Sequence, residues 1–287
     1  MYHIEGMGLL GSILAFAMDE ADVPFTWSDN DSPFSAWRVS TGLAYPDGSE
    51  HNRAGLRRWY EEVPNFPEAA RAPYVYAHLK PPHKGEYLYT DYGPLRKALP
   101  EAVAVNVPAM VERARREFAH QRVEEVPPGS LLIVAHTTPE RGRGYLWGWV
   151  AKVRFEVPAF LEIPRRVQPA MYSKAHRYNL TYAYPIPGTG MWWAGSMLKW
   201  QLTPRALSEP ELYVMYEEWE ENAERLLCLK DVELVELGQG WRPRFKKGDS
   251  GWAELIDGRW VLPPRPTDGL RNAHLIIDDL MDKLLSS

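Results

Sequence analysis

The stretch Ile4-Glu5-Gly6-Met7-Gly8-Leu9-Leu10-Gly11 constrains this chain more than any other, because it sets three glycines in a Gly-x-Gly-x-x-Gly frame directly after a short apolar run. Residues 2–5 read as a strand. Leu9 to Asp22 reads as a helix, with Leu10, Ile13, Leu14, Ala17 and Met18 at helical spacing. Pro24-Phe25-Thr26-Trp27-Ser28-Asp29 then reads as a second strand that ends on an acid about 20 residues beyond the glycines. Strand, glycine turn, helix and strand in this order make a unit that holds a dinucleotide. Gly6 serves the tight turn, Gly8 admits a pyrophosphate, Gly11 lets the helix lie close on the strand, and Asp29 accepts from ribose hydroxyls. The helix N-terminus adds unpaired N–H groups and a positive dipole end. Leu10, Ser12 and Asn30 sit beside these groups and count with the same site. This unit alone serves NAD and FAD equally.

The 287 residues suffice for a large core and one or two domains. A 45% hydrophobic, 25% charged composition is that of a folded globular protein. The net charge of −5 gives no overall electrostatic footprint for nucleic acid. A single cysteine, Cys228, excludes an internal disulfide framework, and the Cys and His spacings fit no zinc site, so no metal is expected. The apolar run after Met7 has no Lys or Arg before it and meets Asp19 and Glu20 too early for a signal segment or a membrane span. A cytoplasmic, soluble protein without membrane contact is expected.

The second strand is followed by Ser32-Pro33-Phe34-Ser35-Ala36-Trp37-Arg38-Val39-Ser40-Thr41-Gly42-Leu43-Ala44-Tyr45-Pro46. Here the chain resembles the flavin-dependent oxidoreductases of the D-amino-acid oxidase family, which carry A-S-x-x-A-x-G-x-x-x-P at this point. Ala36, Gly42 and Pro46 match, and Trp37 stands where the family usually has Ser. The resemblance implies FAD, held without a covalent bond, with Ser40, Thr41 and Gly42 along its pyrophosphate and ring. Residues 91–105 read as a helix and a strand. Gly129 to His136 reads as a turn and a buried strand, where the family has its final parallel strand ending Ala-x-Gly. This chain has Ala135-His136-Thr137, which places Ala135 in the implied cofactor site. His136 is expected near the cofactor or, like most histidines at strand ends, in an ordinary hydrogen bond.

From about Val150 the pattern turns to aromatic-rich strands, with Pro187-Gly188-Thr189-Gly190 marking a hairpin turn. Tyr182, Pro185, Gly195 and Ser196 match the substrate-domain hairpin of the glycine and sarcosine oxidase branch. The match implies that Tyr182 bonds the substrate carboxylate. Trp192, Trp193 and Trp200 are expected to pack the sheet, or else to line a pocket. Ser208 to Leu227 reads as an amphipathic helix opened by a Ser208–Glu211 capping box, and Glu112 to Arg122 as a solvated mixed-charge face.

Gly240-Trp241-Arg242-Pro243 matches the family's Gly-x-Arg-Pro. The resemblance gives Arg242 a two-pronged bond to the substrate carboxylate, which suits a planar guanidinium charged at any working pH. Gly269-Leu270-Arg271-Asn272-Ala273, with Leu275 in step, resembles the glycine oxidase ending, with Ala273 replacing a glycine. A helix starting there would turn its N-terminus toward the flavin pyrimidine ring. Asp278 and Asp279 stand where the family has Ala-Pro, and His51 and His274 are the candidate points for any covalent flavin bond.

The fold expected is α/β with an α+β substrate part: a Rossmann-like FAD-binding domain of discontinuous chain (1–60, 88–149, 240–287) and a smaller antiparallel-sheet substrate domain (61–87, 150–239). The implied function is oxidation of a small amine or amino acid of glycine or sarcosine type. Hydride passes from Cα to flavin N5, water hydrolyses the imine, and molecular oxygen accepts the electrons. Two alternatives stand beside it: action on a glycine-like group attached to a nucleobase in tRNA or DNA, and a flavin-binding partner protein without catalysis.

Overall fold

The protein is described from a computed structural model that covers residues 1–33, 35–40, 42–44, 50–77, 101–136, 145–157, 170–176, 179–195, 198–201, 205–227, 229–243, 252–263 and 270–286. The expected helix before Glu101, together with Thr41, Pro46, Thr137, Ser196, Cys228 and Gly269, lies outside the described residues.

The chain opens with β1 (Tyr2–Glu5), α1 (Leu9–Glu20) and β2 (Phe25–Ser28). Helix α1 stops because Asp22 turns left-handed (φ +53°), which lets the Val23 N–H close on Met18 O at 2.8 Å. Next come β3 (Leu43–Ala44), α2 (Glu50–Glu62), β4 (Ala69–Ala77), β5 (Glu101–Val105) and α3 (Val107–Glu117). Asn106 caps α3 by accepting from the Ala109 N–H at 3.3 Å. The middle of the chain gives β6 (Leu131–Val134), β7 (Tyr145–Arg154), β8 (Ala170–His176), β9 (Asn179–Ile186), β10 (Met191–Gly195) and β11 (Leu198–Gln201). The last elements are α4 (Glu209–Leu227), β12 (Glu233–Pro243), β13 (Glu254–Ile256), β14 (Arg259–Val261) and α5 (Ala273–Leu285).

Among the described residues these strands build two sheets. The first runs β13-β14-β6-β1-β2; β14, β6, β1 and β2 run parallel and β13 is antiparallel to β14, with Ile4 facing Trp27 on one side and Ile133 on the other. Helices α1, α3 and α5 cover it and bury Met7, Leu14, Met18, Trp27, Val111, Ile277 and Leu280 in one core. Burial of each such side chain favours the fold by about 1.5–3 kcal/mol. This is the Rossmann-like half.

The second sheet runs β11-β7-β10-β9-β8-β4-β5-β3, with β12 added on β7. It is antiparallel except where β4 meets β8. Strand period two divides its residues between two faces. Trp149, Ala151, Val153, Ala183, Trp192 and Ala194 lie under α4, against Leu212, Met215, Trp219, Ala223 and Leu227. Half of the expected capping box forms there, the Ser208 N–H donating to Glu211 at 2.8 Å, while the Ser208 hydroxyl donates to the same carboxylate at 2.8 Å. The opposite face carries Val150, Tyr182, Tyr184, Ile186 and Trp193, and is met by Val39 and Leu43 from the segment after β2. The two adjacent tryptophans thus serve different faces: Trp192 stacks on Phe155 at 4.1 Å, and Trp193 lies under the Lys152 ammonium.

Candidate active site

The three glycines of the first turn do different work. Gly6 has φ +103°, and a Cβ there would stand 2.6 Å from His136 Cβ. A Cβ on Gly11 would run into Gly6 O, so α1 can approach β1 only through glycine. Gly8 differs: its backbone is extended, and a Cβ would meet only Trp37 Cδ1, at an ordinary 3.7 Å. The chain's own packing demands glycine at 6 and 11 but not at 8. Gly8 is also the N-cap of α1 and supplies no capping side chain, so the first-turn N–H groups of Leu9 and Leu10 face out of the half-buried turn. Close by, Ser12 Oγ and Trp37 Nε1 are buried with no hydrogen-bond partner among the described residues. An extended glycine, an uncapped helix end and two enclosed polar groups fit a bound anion.

Asp29 is placed at the end of β2, as expected, but its carboxylate is already engaged. Oδ2 accepts from the Met7 N–H at 2.7 Å and Oδ1 from the Asp31 N–H at 2.8 Å. Arg115 Nη2 lies 2.7 Å from Oδ2, while Arg115 Nε donates to Met7 O at 3.2 Å. Arg115 also pairs with Asp31, as does Arg122. Burial raises the Asp31 pKa, but bonds from the two guanidinium groups outweigh this and hold it below the usual carboxylate range. The reading of 112–122 as a purely solvated face therefore fails at Arg115. Its guanidinium crosses from α3 to clamp the glycine turn. The signal was Asn106-Val107-Pro108 opening a helix with Val107, Met110, Val111 and Ala114 buried on one face. Asn30 accepts from the Ser32 N–H at 3.2 Å on the exposed rim.

The loop after β2 divides in the same way. Trp37 lies in a short 3-10 turn, Ala36–Val39, and Ser40 follows half-buried. Gly42 is locked to β5: its O accepts from the Val105 N–H at 2.8 Å, and a Cβ would stand 2.5 Å from Val105 O. Ala135 continues β6 by donating to Glu5 O at 2.8 Å, and its methyl lies beside Gly11. His136 takes the ordinary role, Nε2 lying 3.3 Å from Glu5 Oε1.

The C-terminal motif is held from within. Leu270, Arg271, Asn272 and Ala273 are buried, Arg271 to 1% exposure. Helix α2 grips them. Trp59 Nε1 donates to Leu270 O at 2.7 Å, Asn272 Nδ2 donates to Asn52 Oδ1 at 3.1 Å, and a Cβ on Gly55 would stand 2.5 Å from Arg271 O. Asp278, where the family has an apolar residue, bonds Arg58 Nε at 2.8 Å and so ties α5 to α2. His274 is a core residue beside Trp59 and Phe66, and burial pushes its pKa down to about 4. His51 stacks edge-on against Trp252 at 5.1 Å.

Tyr182 and Arg242 share one face by register. Tyr182 pairs with Gly195 on β10, and Arg242 pairs with Leu146 on β7, two positions on from Gly240–Gly148 and four from Gly238–Val150. This is the face opposite α4. The Arg242 side chain is outside the described part. The Tyr182 ring stacks on Tyr184 at 4.3 Å and lies across Gly195, where a Cβ would stand 2.6 Å from the hydroxyl. The phenol therefore leans over β10 toward β7. Between it and the Arg242 row the face carries Gly148, Gly238 and Gly240, with Val39 packed over Gly238, 3.1 Å from where a Cβ would stand.

No family model matches the chain, and no curated protein is similar to it in sequence. Solved structures are. Iminodiacetate oxidase from Chelativorans sp. BNC1 superposes with TM-score 0.70 at 12% identity, covering 100% of this chain and 96% of that one. Glycine oxidase from Bacillus cereus ATCC 14579 gives 0.70 at 13% identity, with 99% and 94% covered. L-amino acid deaminase from Proteus vulgaris gives 0.64 at 11% identity, with 100% and 93% covered. The chain has the fold of these proteins over nearly its whole length. Among its described residues, no helix is long and apolar enough to cross a membrane.

Proposed function

We propose that this protein is an FAD-dependent oxidase of a small amine or amino acid, with a substrate of the glycine or sarcosine type. The observation that carries the reading is Gly8, a glycine that the chain's own packing does not need, at an uncapped helix end in the fold of amine and amino-acid oxidases. FAD, when bound, supplies the two-electron acceptor for oxidation at the substrate Cα.

The residues present fit that group. Gly6, Gly8, Leu10, Gly11 and Ser12 would hold the pyrophosphate, with the first-turn N–H groups of α1 as donors. Asp29 and Asn30 would take the ribose, Asp29 keeping part of its capacity for Arg115. Ser40, Thr41, Gly42 and Ala135 would line the middle of the dinucleotide, and Gly269 to Ala273, at the start of α5, the ring end. On this reading the flavin part comprises residues 1–60, 88–149 and 240–287, and the substrate part 61–87 and 150–239.

Arg242 and Tyr182 would fix the substrate carboxylate from the two ends of the face that carries Gly148, Gly238 and Gly240. The guanidinium binds it as a fork and the phenol hydroxyl donates a further hydrogen bond, which orients the Cα–H. Oxygen is the proposed electron acceptor.

The test is the absorption spectrum of the purified full-length protein, as isolated and after incubation with FAD, followed by anaerobic addition of glycine, sarcosine and iminodiacetate. Flavin absorption that bleaches with one of these amines is the expected result. A protein that takes up no FAD overturns the reading. One that takes it up and is bleached by none of the amines overturns the substrate class.

A further inference from the structure

Trp37, where the resembled loop usually has Ser, carries an unexplained buried polar atom beside the turn. Trp37 is 8% exposed, and its Nε1 is out of solvent with no hydrogen-bond partner among the described residues. The edge of the indole that bears this nitrogen faces Gly8: Cδ1, bonded to Nε1, lies 3.7 Å from where a Gly8 Cβ would stand. Two guanidinium groups flank the ring, Arg38 at 4.4 Å and Arg115 at 5.0 Å from its centroid. An enclosed donor without a partner is costly, and a native structure retains one where a ligand completes it. A donor beside an extended glycine, at an uncapped helix N-terminus and between two cations, asks for an anion.

We infer that Trp37 donates its indole N–H to the pyrophosphate of the dinucleotide in front of Gly8. The inference rests on the FAD reading and assigns that site a residue of this chain's own. Trp37 packs in the core beside the turn and, in addition, is a binding residue that fixes the phosphates against α1.

The test uses the full chain freed of flavin. Trp37→Phe keeps an aromatic ring beside the two guanidinium groups, smaller than the indole, and deletes the donor. Dissociation constants are measured calorimetrically for FAD, for ADP as the pyrophosphate probe, and for riboflavin, which has no phosphate. In the variant, FAD and ADP are expected to bind about tenfold or more weakly and riboflavin as in the wild type. The flavin-free variant should still unfold cooperatively, the cavity left by the smaller ring being offset in part by removal of a donor without a partner, so that a loss confined to FAD and ADP reads as binding. Unchanged or tighter ADP binding overturns the inference, tighter binding marking Trp37 as a cover over the turn. If the wild type binds neither ADP nor FAD, the FAD reading fails and the inference with it. If Trp37→Phe does not fold, benzothienylalanine incorporated at position 37 puts sulfur in place of the N–H at nearly constant shape. It should show the same selective loss for FAD and ADP.

Discussion

Two helix N-termini frame the proposed site; neither has a side-chain cap, and they differ in how closely the rest of the chain packs on them. Helix α1 begins at Gly8 with no capping side chain, its first turn half-buried and two polar groups left without partners beside it. Helix α5 begins at Asn272 inside the protein, where α2 supplies Trp59, Asn52 and the Gly55 backbone to receive Leu270, Arg271 and Asn272. The α1 end is open in front of Gly8, whereas the backbone at the α5 end is closed over by α2, although Asn272 Oδ1 and His274 Nε2 are also buried there with no partner among the described residues. A change at Gly8, where packing leaves room, should therefore act on ligand affinity, and changes that crowd the α2–α5 contact or the Gly6–Gly11 contact on stability.

The contrast breaks first at the glycines. Gly11→Ala, with a Cβ driven into Gly6 O, is expected to cost more than about 4 kcal/mol and to leave little folded soluble protein. Gly55→Ala should cost about 2–3 kcal/mol by overpacking against Arg271 O, read as a lowered denaturation midpoint. Gly8→Ala should leave the midpoint of the flavin-free protein unchanged and weaken FAD about tenfold or more, since its Cβ meets the ligand's space and not the protein. A Gly8→Ala protein that is unstable without flavin would remove the distinction between the two helix ends.

The closed end also predicts a pH response. Burial holds His274 near pKa 4, below the 6.5 of the unfolded chain, so between these values only the unfolded chain binds the proton. Stability should be flat above about pH 6.5 and fall as pH drops, by about 2 kcal/mol at pH 5. Arg58, Glu62 and Asp278 are the charged groups that act on this histidine. Urea titrations at pH 7 and pH 5 on wild type and His274→Phe check this, because the variant should lose that part of the acid sensitivity. The smallest effect is expected at the open end's clamp. A double-mutant cycle of Arg115→Met and Asp29→Asn should give a coupling of about 1–2 kcal/mol in stability, reflecting a pair only partly out of water.

How much of this was legible in the sequence follows the same division. The strand–glycine–helix–strand unit could be read because its signals are local: φ +103° at Gly6 and the close approach at Gly11 need glycine whatever the rest of the chain does. The shared face of Tyr182 and Arg242 could be anticipated only through resemblance, because it arises from strand register among β9, β10, β7 and β12. Arg115 went unread because its charge-rich neighbourhood has the composition of a solvated face. What brings it to Asp29 is the direction in which α3 leaves β5, which no local pattern encodes. The β13–β14 hairpin had a signal in Asp257-Gly258, both left-handed at φ +50° and +75°, but its strands are too short to show a period. Trp37 reads in sequence as a departure from the family. The structure buries that residue's N–H, with the adjacent Cδ1 lying against Gly8.

The most direct measurement is an anaerobic titration of the FAD-reconstituted protein, following the flavin absorption bands while glycine, sarcosine or iminodiacetate is added to wild type and to Arg242→Met. The wild type should bleach with at least one of these amines. The Arg242→Met protein should hold FAD as tightly and require at least about a hundredfold more amine, since it lacks the fork for the carboxylate. A wild-type protein that cannot be reconstituted, or one in which Arg242→Met bleaches at the same amine concentration, contradicts the proposal.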